Sequence, residues 1–314
     1  MQPSNNLQIL INAPSYLDYL IWNLSHLDVQ IIKLRNSTYN PLIFPSFEQL
    51  LDDPSVLNLA SKLKPMPNWP LSLREFGEKQ DQLNKACLIN SNQQFLDISI
   101  NTKQWIKLDI MLAIEYLKTF EFFKLLKYSD RDILSKHVAM IIQTMTVSFT
   151  SFQTNSDCFK TPDGWFINIQ DSMDFFDSIT DGKISKNSSC TQSFLKSSQN
   201  VMGFLIREKL TSTEYILLKA IAICDPIIEL SEEGRKIVWK TRRNYSKTLF
   251  KYCETEYGKR NGPSRFATLL SYINLAIYHQ KNLRNFMSFL RMHLIYKFPK
   301  TLTSLEDSAI HNES

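Results

Sequence analysis

Glycine is scarce in this sequence, with 7 residues in 314, where an average chain is roughly 7% glycine. That shortage excludes a glycine-rich phosphate loop and leaves few tight hairpins. Both a mainly β fold and a nucleotide-binding α/β fold become poor fits. The cysteines, Cys87, Cys158, Cys190, Cys224 and Cys253, are odd in number, far apart, and include no C-x-x-C pair. Neither a structural zinc site nor a disulfide framework follows, and a reducing compartment is expected. Long apolar runs are missing as well. The stretch Val138 to Ser156, free of Asp, Glu, Lys and Arg, holds Gln143, Thr144, Thr146, Ser148 and Thr150, too polar for a membrane span. The start, Met-Gln-Pro-Ser-Asn-Asn, is a poor signal peptide because no basic residue precedes the short apolar run Leu7 to Ile11. A soluble intracellular protein is expected.

Catalytic motifs are also lacking. There is no G-x-G-x-x-G, Walker loop, H-E-x-x-H or G-x-S-x-G. His26, His137, His279, His293 and His311 show no ligand spacing and are expected to be packed or surface residues. The chain is not expected to be an enzyme.

At 43% hydrophobic and 21% charged residues the chain is globular in composition. A net charge of +5 without a dense basic block does not announce nucleic-acid binding. Lys236, Lys240, Arg242, Arg243 and Lys247 read as the solvated face of an outer helix. Eight of the 12 prolines precede residue 71. The stretch from Pro41 to Pro70 is therefore expected to be an irregular connector with short helical turns. Before it, Leu17, Leu20, Leu24, Leu27, Ile31 and Leu34 keep steps of three and four, a helix over about 15–35. Such a stripe suits a core-docked helix or a short dimer seam, and docking is preferred.

Two segments carry most of the information. Lys103 to Lys127 is apolar on every side of the helical wheel, and Ile133 to Phe152, after a start signal at Ser129-Asp130, is the same. A helix apolar all round cannot face water, so three layers of helices are needed. Asp109 and Glu115, six apart, lie on different faces, which favours salt bridges or caps over a carboxylate pair. Thr161-Pro162-Asp163-Gly164 followed by Trp165 to Ile169 predicts one small hairpin. Helices are expected at about 191–209, then from a capping box at Thr211-Ser212-Thr213-Glu214 to Asp225-Pro226, then 231–257, and after a break at Gly258 to Pro263 a long one over 264–296.

Several of these residues resemble the nuclear hormone receptor ligand-binding domain. Tyr116-Leu117-Lys118 with Phe123, Leu126, Asp130 and Leu134 is similar to the signature joining the family's third to fifth helices, with Arg131 and Ser135 departing from it. Thr213-Glu214, Leu218-Lys219-Ala220-Ile221 and Asp225-Pro226 resemble its eighth helix, and Gly262 to Leu270 the start of its tenth. Leu34-Arg35-Asn36-Ser37 with Asn40-Pro41, the Trp105 to Asp109 spacing, and Pro162-Asp163-Gly164 point to the divergent, nematode-expanded branch. The resemblance spans about residues 15–298.

It implies an all-α, three-layer antiparallel helical sandwich with one small β-hairpin. Residues 1–70 would form an N-terminal helix and proline-rich connector packing on the body, 71–298 the ligand-binding body, and 299–314 a short activation-helix-like tail. The family's zinc-finger module needs eight cysteines, so no zinc, no cofactor and no direct DNA contact are expected from this chain. A lipophilic ligand is implied, lined by position by Ile106, Asp109, Leu112, Met140, Gln143, Thr144, Val147, Phe286 and Met287; the alternative is that these residues simply fill the core. Thr150 stands about where receptors for acidic lipids often carry an arginine, so the resemblance gives no support to a carboxylate ligand. A second implied site is a groove for coactivator or corepressor peptide helices. In it Lys118 would contact the peptide's C-terminal carbonyls, Lys136 would stand nearby, and Glu306 would cap the N-terminus. Asp307 and Ser308 depart from the activation motif. Glu214 and Arg265 match a structural ion pair. Homodimers or heterodimers would use the long helix 264–296, with Tyr272, Ile273 and Ile277 on its face. The implied function is a nuclear transcription regulator (the cytoplasm being the other compartment). The alternative is a ligand-independent helical dimerisation protein that kept the fold.

Overall fold

A computed structural model of the chain describes residues 16–41, 44–67, 69, 103, 105–164, 166–167 and 188–294. Among these, eight α-helices and one hairpin follow in order. They are α1 (Tyr16–Asn36), α2 (Phe47–Asp52), α3 (Trp105–Lys118), α4 (Glu121–Lys124), α5 (Tyr128–Gln153), β1 (Phe159–Lys160), β2 (Phe166–Ile167), α6 (Ser189–Glu208), α7 (Ser212–Ala222) and α8 (Glu232–Leu294). A 3-10 turn, Val56–Leu59, follows α2.

The helices stack in three layers. One outer layer holds α1 and α3. The middle holds α5, α7 and the first stretch of α8, and the far layer holds α6 and the second stretch of α8. The middle position of α5 matches its sequence, since sixteen of its residues are buried. In α3 every residue except Ile106 and Lys118 is buried. That helix nevertheless lies in an outer layer, because α1, α2 and the turn after α2 cover the side that would otherwise meet water.

Three boundaries differ from the sequence expectation. The apolar run from residue 103 to 127 is not one helix. Thr119 Oγ1 donates to the Tyr116 carbonyl at 2.6 Å, and Phe120 turns to extended backbone. Its ring then packs on Tyr116, with centroids 5.0 Å apart, and on Tyr245, at 6.2 Å. Asp130 does not start α5, which begins at Tyr128. Its carboxylate instead accepts from the Ser231 backbone N–H at 2.8 Å and hydroxyl at 2.6 Å, at the start of α8. Finally, the break expected over residues 258–263 is confined to Gly258 (φ 78°, ψ 161°), where the two stretches of α8 meet at a kink that leaves Pro263 within helix. Gly262 lies where the stretches cross. A Cβ there would sit 2.8 Å from the Cys253 carbonyl oxygen, so only glycine fits without a shift.

Tyr272 and Ile273, expected on a dimer face, belong to the interior. Tyr272 is fully buried and its hydroxyl lies 2.8 Å from Ser148 Oγ. An apolar stripe on an outer-layer helix marks whichever side it buries, and here that side is its own core.

Polar contacts set how α1 sits. Arg35, 1% exposed, donates from Nε and Nη2 to Asp109 at 2.6 and 3.0 Å. Lys103 Nζ donates to the carbonyls of Arg35 and Ser37 at 2.7 and 2.6 Å, closing the end of α1. Burial, and then the neighbouring Arg35 charge, lower its pKa to about 7. Trp105 Nε1 donates to Asp163 at 2.8 Å, tying in the hairpin turn. Midway along α1, Asp28 pairs with the buried Lys219 of α7 at 2.8 Å. Breaking one partner of a buried pair strands the other charge. Arg35→Ala or Asp109→Ala should therefore each lower unfolding stability by about 3–5 kcal/mol in urea titrations. The double replacement Arg35→Met with Asp109→Leu should cost less than either single change.

Candidate functional site

The C-terminal end of α3 and the N-terminal half of α5 present two lysines, and both are engaged. Lys118 Nζ donates to the carbonyls of Leu50 and Asp53, each at 2.7 Å, and to Glu115 Oε1 at 2.9 Å. It thus closes the C-terminal end of α2, where a helix presents unsatisfied carbonyls and partial negative charge. Lys136 pairs with Asp132 at 2.7 Å, and its ammonium stands 5.5 Å from the centre of the Phe47 ring. Glu115 is also shared. Its Oε2 accepts from Ser55 Oγ at 2.6 Å and from the Val56 backbone N–H at 3.0 Å. Its role is that of a salt-bridged cap. Glu306 lies outside the described residues.

The segment seated on these lysines, α2, has the sequence Phe47-Glu48-Gln49-Leu50-Leu51-Asp52. Ser46 Oγ accepts from the Gln49 backbone N–H at 3.2 Å, and Gln49 Oε1 accepts from the Ser46 backbone N–H at 2.8 Å. That reciprocal pair, a capping box, was the local signal for this helix. Phe47, Leu50 and Leu51 are buried against α3 and α5, while Glu48 and Gln49 face solvent. The proline-rich stretch implies short helical turns here without marking these residues in particular.

In the interior, Leu112, Met140, Thr144 and Val147 are buried on the packed pair α3 and α5, with Gln143 beside them. Ile106 and Met287 are half-buried. Asp109, expected among the lining residues, has both carboxylate oxygens taken by Arg35. Phe286 stacks on Phe194 of α6 with ring centroids 4.6 Å apart. Thr144 Oγ1 is buried and has no hydrogen-bond partner among the described residues. A cleft of about 540 Å³ opens elsewhere, between α1, α4 and α8, lined by Leu20, Leu24, Phe120, Phe122, Ile237 and Tyr245 among others. None of the nine expected lining residues borders it.

Glu214 and Arg265 face each other across α7 and α8. Arg265 donates from Nε at 2.7 Å and Nη2 at 2.8 Å to the two oxygens of Glu214. Tyr257 and the Thr211 backbone N–H add a bond each, at 2.9 Å. Burial pushes the Glu214 carboxyl up, and the four donated bonds overcome it and hold the group below the usual carboxylate range.

Comparison with known proteins decides the family. Residues 92–293 match the family model described as the ligand-binding domain of nuclear hormone receptor. The chain belongs to that family. Nuclear hormone receptor family member nhr-60 of Caenorhabditis elegans is 29% identical over 286 residues, 89% of this chain and 58% of that protein. Family member nhr-209 of the same organism is 28% identical, covering 92% of this chain and 60% of the relative. Family member nhr-153 is 30% identical over 61% of this chain and 43% of its own length. The chain thus spans about half the length of the curated relatives it matches. Nuclear receptor ligand-binding domains are not enzymes. Among the described residues no group of His, Cys, Asp and Glu could hold a metal ion, and no helix is long and apolar enough to cross a membrane.

Within this ligand-binding domain His279 is a satisfied core histidine. Its Nδ1 lies 2.9 Å from Ser197 Oγ, and Phe159 and Phe194 enclose the ring. Burial lowers its pKa from 6.5 to about 4. Between those two values the unfolded chain binds the proton and the folded chain does not, so stability falls as pH drops through that window. The loss should reach about 3 kcal/mol near pH 4. His279→Asn should flatten this component in urea titrations run from pH 7.5 down to 4, at some cost in stability at neutral pH.

Proposed function

We propose that this chain is the ligand-binding and coregulator-binding part of a nuclear transcription regulator, taking a lipophilic ligand between α3 and α5. Thr144 carries the ligand half of this reading. An unpartnered buried hydroxyl costs about 1–3 kcal/mol. Buried on α5 with Met140 and Val147, it is, of the unpartnered buried hydroxyls on α3 and α5 (Tyr116, Ser135 and Thr144), the one at an expected lining position, and an apolar ligand with one hydroxyl or carbonyl oxygen would satisfy it. Thr150, at the position of the arginine of acidic-lipid receptors, bonds back to the Thr146 and Val147 carbonyls at 2.8 and 3.1 Å, which again favours a neutral ligand. Lys118 and Lys136 support the coregulator half, because together they hold one short apolar helix by its C-terminal end and its aromatic side chain. Dimerisation and a nuclear address follow from the family by analogy.

Native mass spectrometry of the purified chain tests the ligand. A co-purifying neutral lipid is expected on the unaltered protein. Thr144→Val should reduce its occupancy about tenfold, since losing one hydrogen bond of this kind is worth about 1.4 kcal/mol. A chain that carries no adduct, and whose melting temperature does not rise with any member of a neutral sterol and fatty-alcohol panel, would leave the fold without a ligand.

A further inference from the structure

Helix α2 is six residues long and stands between Pro45 and Pro54. Isolated helices shorter than about 12–15 residues are marginal in water. The surface beneath α2 therefore accounts for its helicity. Its bulky apolar residues, Phe47, Leu50 and Leu51, fall at i, i+3 and i+4, the spacing that places three side chains on one helix face. That face is buried, at 0%, 4% and 5% exposure, against α3 and α5. Both ends are satisfied. Lys118 takes the Leu50 and Asp53 carbonyls, and the Ser46–Gln49 box closes the first turn from within the segment.

We propose that α2 is a built-in ligand of the coregulator groove. Its F-x-x-L-L face occupies in cis the seat that an incoming amphipathic helix with leucines at i, i+3 and i+4 would take, and such a helix binds only when α2 leaves. The proposal rests on the groove assignment of the proposed function and adds the occupant. Its logic is tethering. A segment held at both ends faces its seat at an effective concentration in the millimolar range. A free peptide therefore sees its affinity reduced by the fraction of molecules with the seat open. The internal capping box supplies the end of the helix that an outside peptide would need a separate acidic residue to close, so the seat is filled without help from the C-terminal tail. The ties flanking α2 are the buried Phe44, whose ring centre lies 6.0 Å from Lys107 Nζ, the bonds of Ser55 and Val56 to Glu115, the buried Ala60, and at the base of the excursion the Ser37 to Pro65 bridge with the backbone bonds from Thr38 to Lys64 and from Met66 to Asn36.

Fluorescence anisotropy on the full chain and on Phe47→Ala/Leu50→Ala/Leu51→Ala tests this with two labelled peptides. One is residues 44–54 of this chain and the other an unrelated helix-forming peptide with an L-x-x-L-L core. The variant is expected to bind both at least about tenfold more tightly than the unaltered chain. A folded variant that binds both no better than the unaltered chain overturns the proposal. Equal binding of the L-x-x-L-L peptide to both proteins keeps the coregulator reading and overturns occupancy in cis. Tight binding of the 44–54 peptide to the variant, with the L-x-x-L-L peptide binding neither protein, supports the cis seat and counts against the coregulator reading. Should the variant not fold, hydrogen exchange on the unaltered chain decides. Amides of residues 47–53 should exchange at least about a hundredfold faster than those of 108–117, and equal protection makes α2 a fixed part of the core and overturns the proposal.

Discussion

The Arg35–Asp109 pair is the contact on which the outer layer depends. The apolar stripe of α1 buries only Leu24, Ile31 and Leu34 fully, while Tyr16, Tyr19 and Trp22 stand exposed. So narrow a stripe positions a helix loosely, because sliding it by a turn exchanges one leucine for another. The charged contacts remove that freedom. Arg35 reaches Asp109 on α3, Lys103 closes the carbonyl end of α1, and Asp28 meets Lys219 on α7. Desolvating these charges is costly, and full hydrogen bonding makes it tolerable. What the pairs supply is register, which greasy contacts alone supply poorly.

That register explains why scattered sequence details belong together. Leu34-Arg35-Asn36-Ser37, the Trp105 to Asp109 spacing and Pro162-Asp163-Gly164 are far apart in the chain, yet Arg35 bonds Asp109 and Trp105 bonds Asp163. They form one cluster at the joint of α1, α3 and the hairpin turn. The layered fold was legible because burial on all sides leaves a plain trace in composition, as in α5. Where that trace continued across a break, legibility failed. Nothing in the hydrophobicity of residues 103–127 marks Thr119, where the chain leaves the helix and Phe120 packs between Tyr116 and Tyr245. Asp130 misled for a related reason: a capping side chain looks the same in sequence whether it serves its own helix or one a hundred residues on.

The site was legible unevenly. Lys118 stood out through its signature, but its partner did not, because six residues are too few for periodicity to register. Only the Ser46–Gln49 spacing identifies α2 in advance, and such spacings are common. On the second stretch of α8, apolar residues could not be assigned to core or partner from one sequence, and Tyr272 proved to be core. Asp109 met the general criteria for a polar pocket anchor until its partner became visible; Thr144, without one, meets them still.

The proposed ligand site and the proposed coregulator groove would share their walls. Helices α3 and α5 carry Leu112, Met140, Thr144 and Val147 toward the core, and the same two helices carry Lys118 and Lys136 at the seat of α2. A ligand between them can influence that seat only through a difference in its affinity for the seated and released arrangements, however tightly it binds. The packing gives such a difference a route. Glu115 lies on the helical turn after Leu112 and holds both Lys118 and the Ser55–Val56 turn. A ligand proposed at Leu112 would reach α2 through this carboxylate, which anchors the far side of α2. On the proposed function, interior occupancy and groove occupancy would be coupled through one helix and one charged side chain, Glu115.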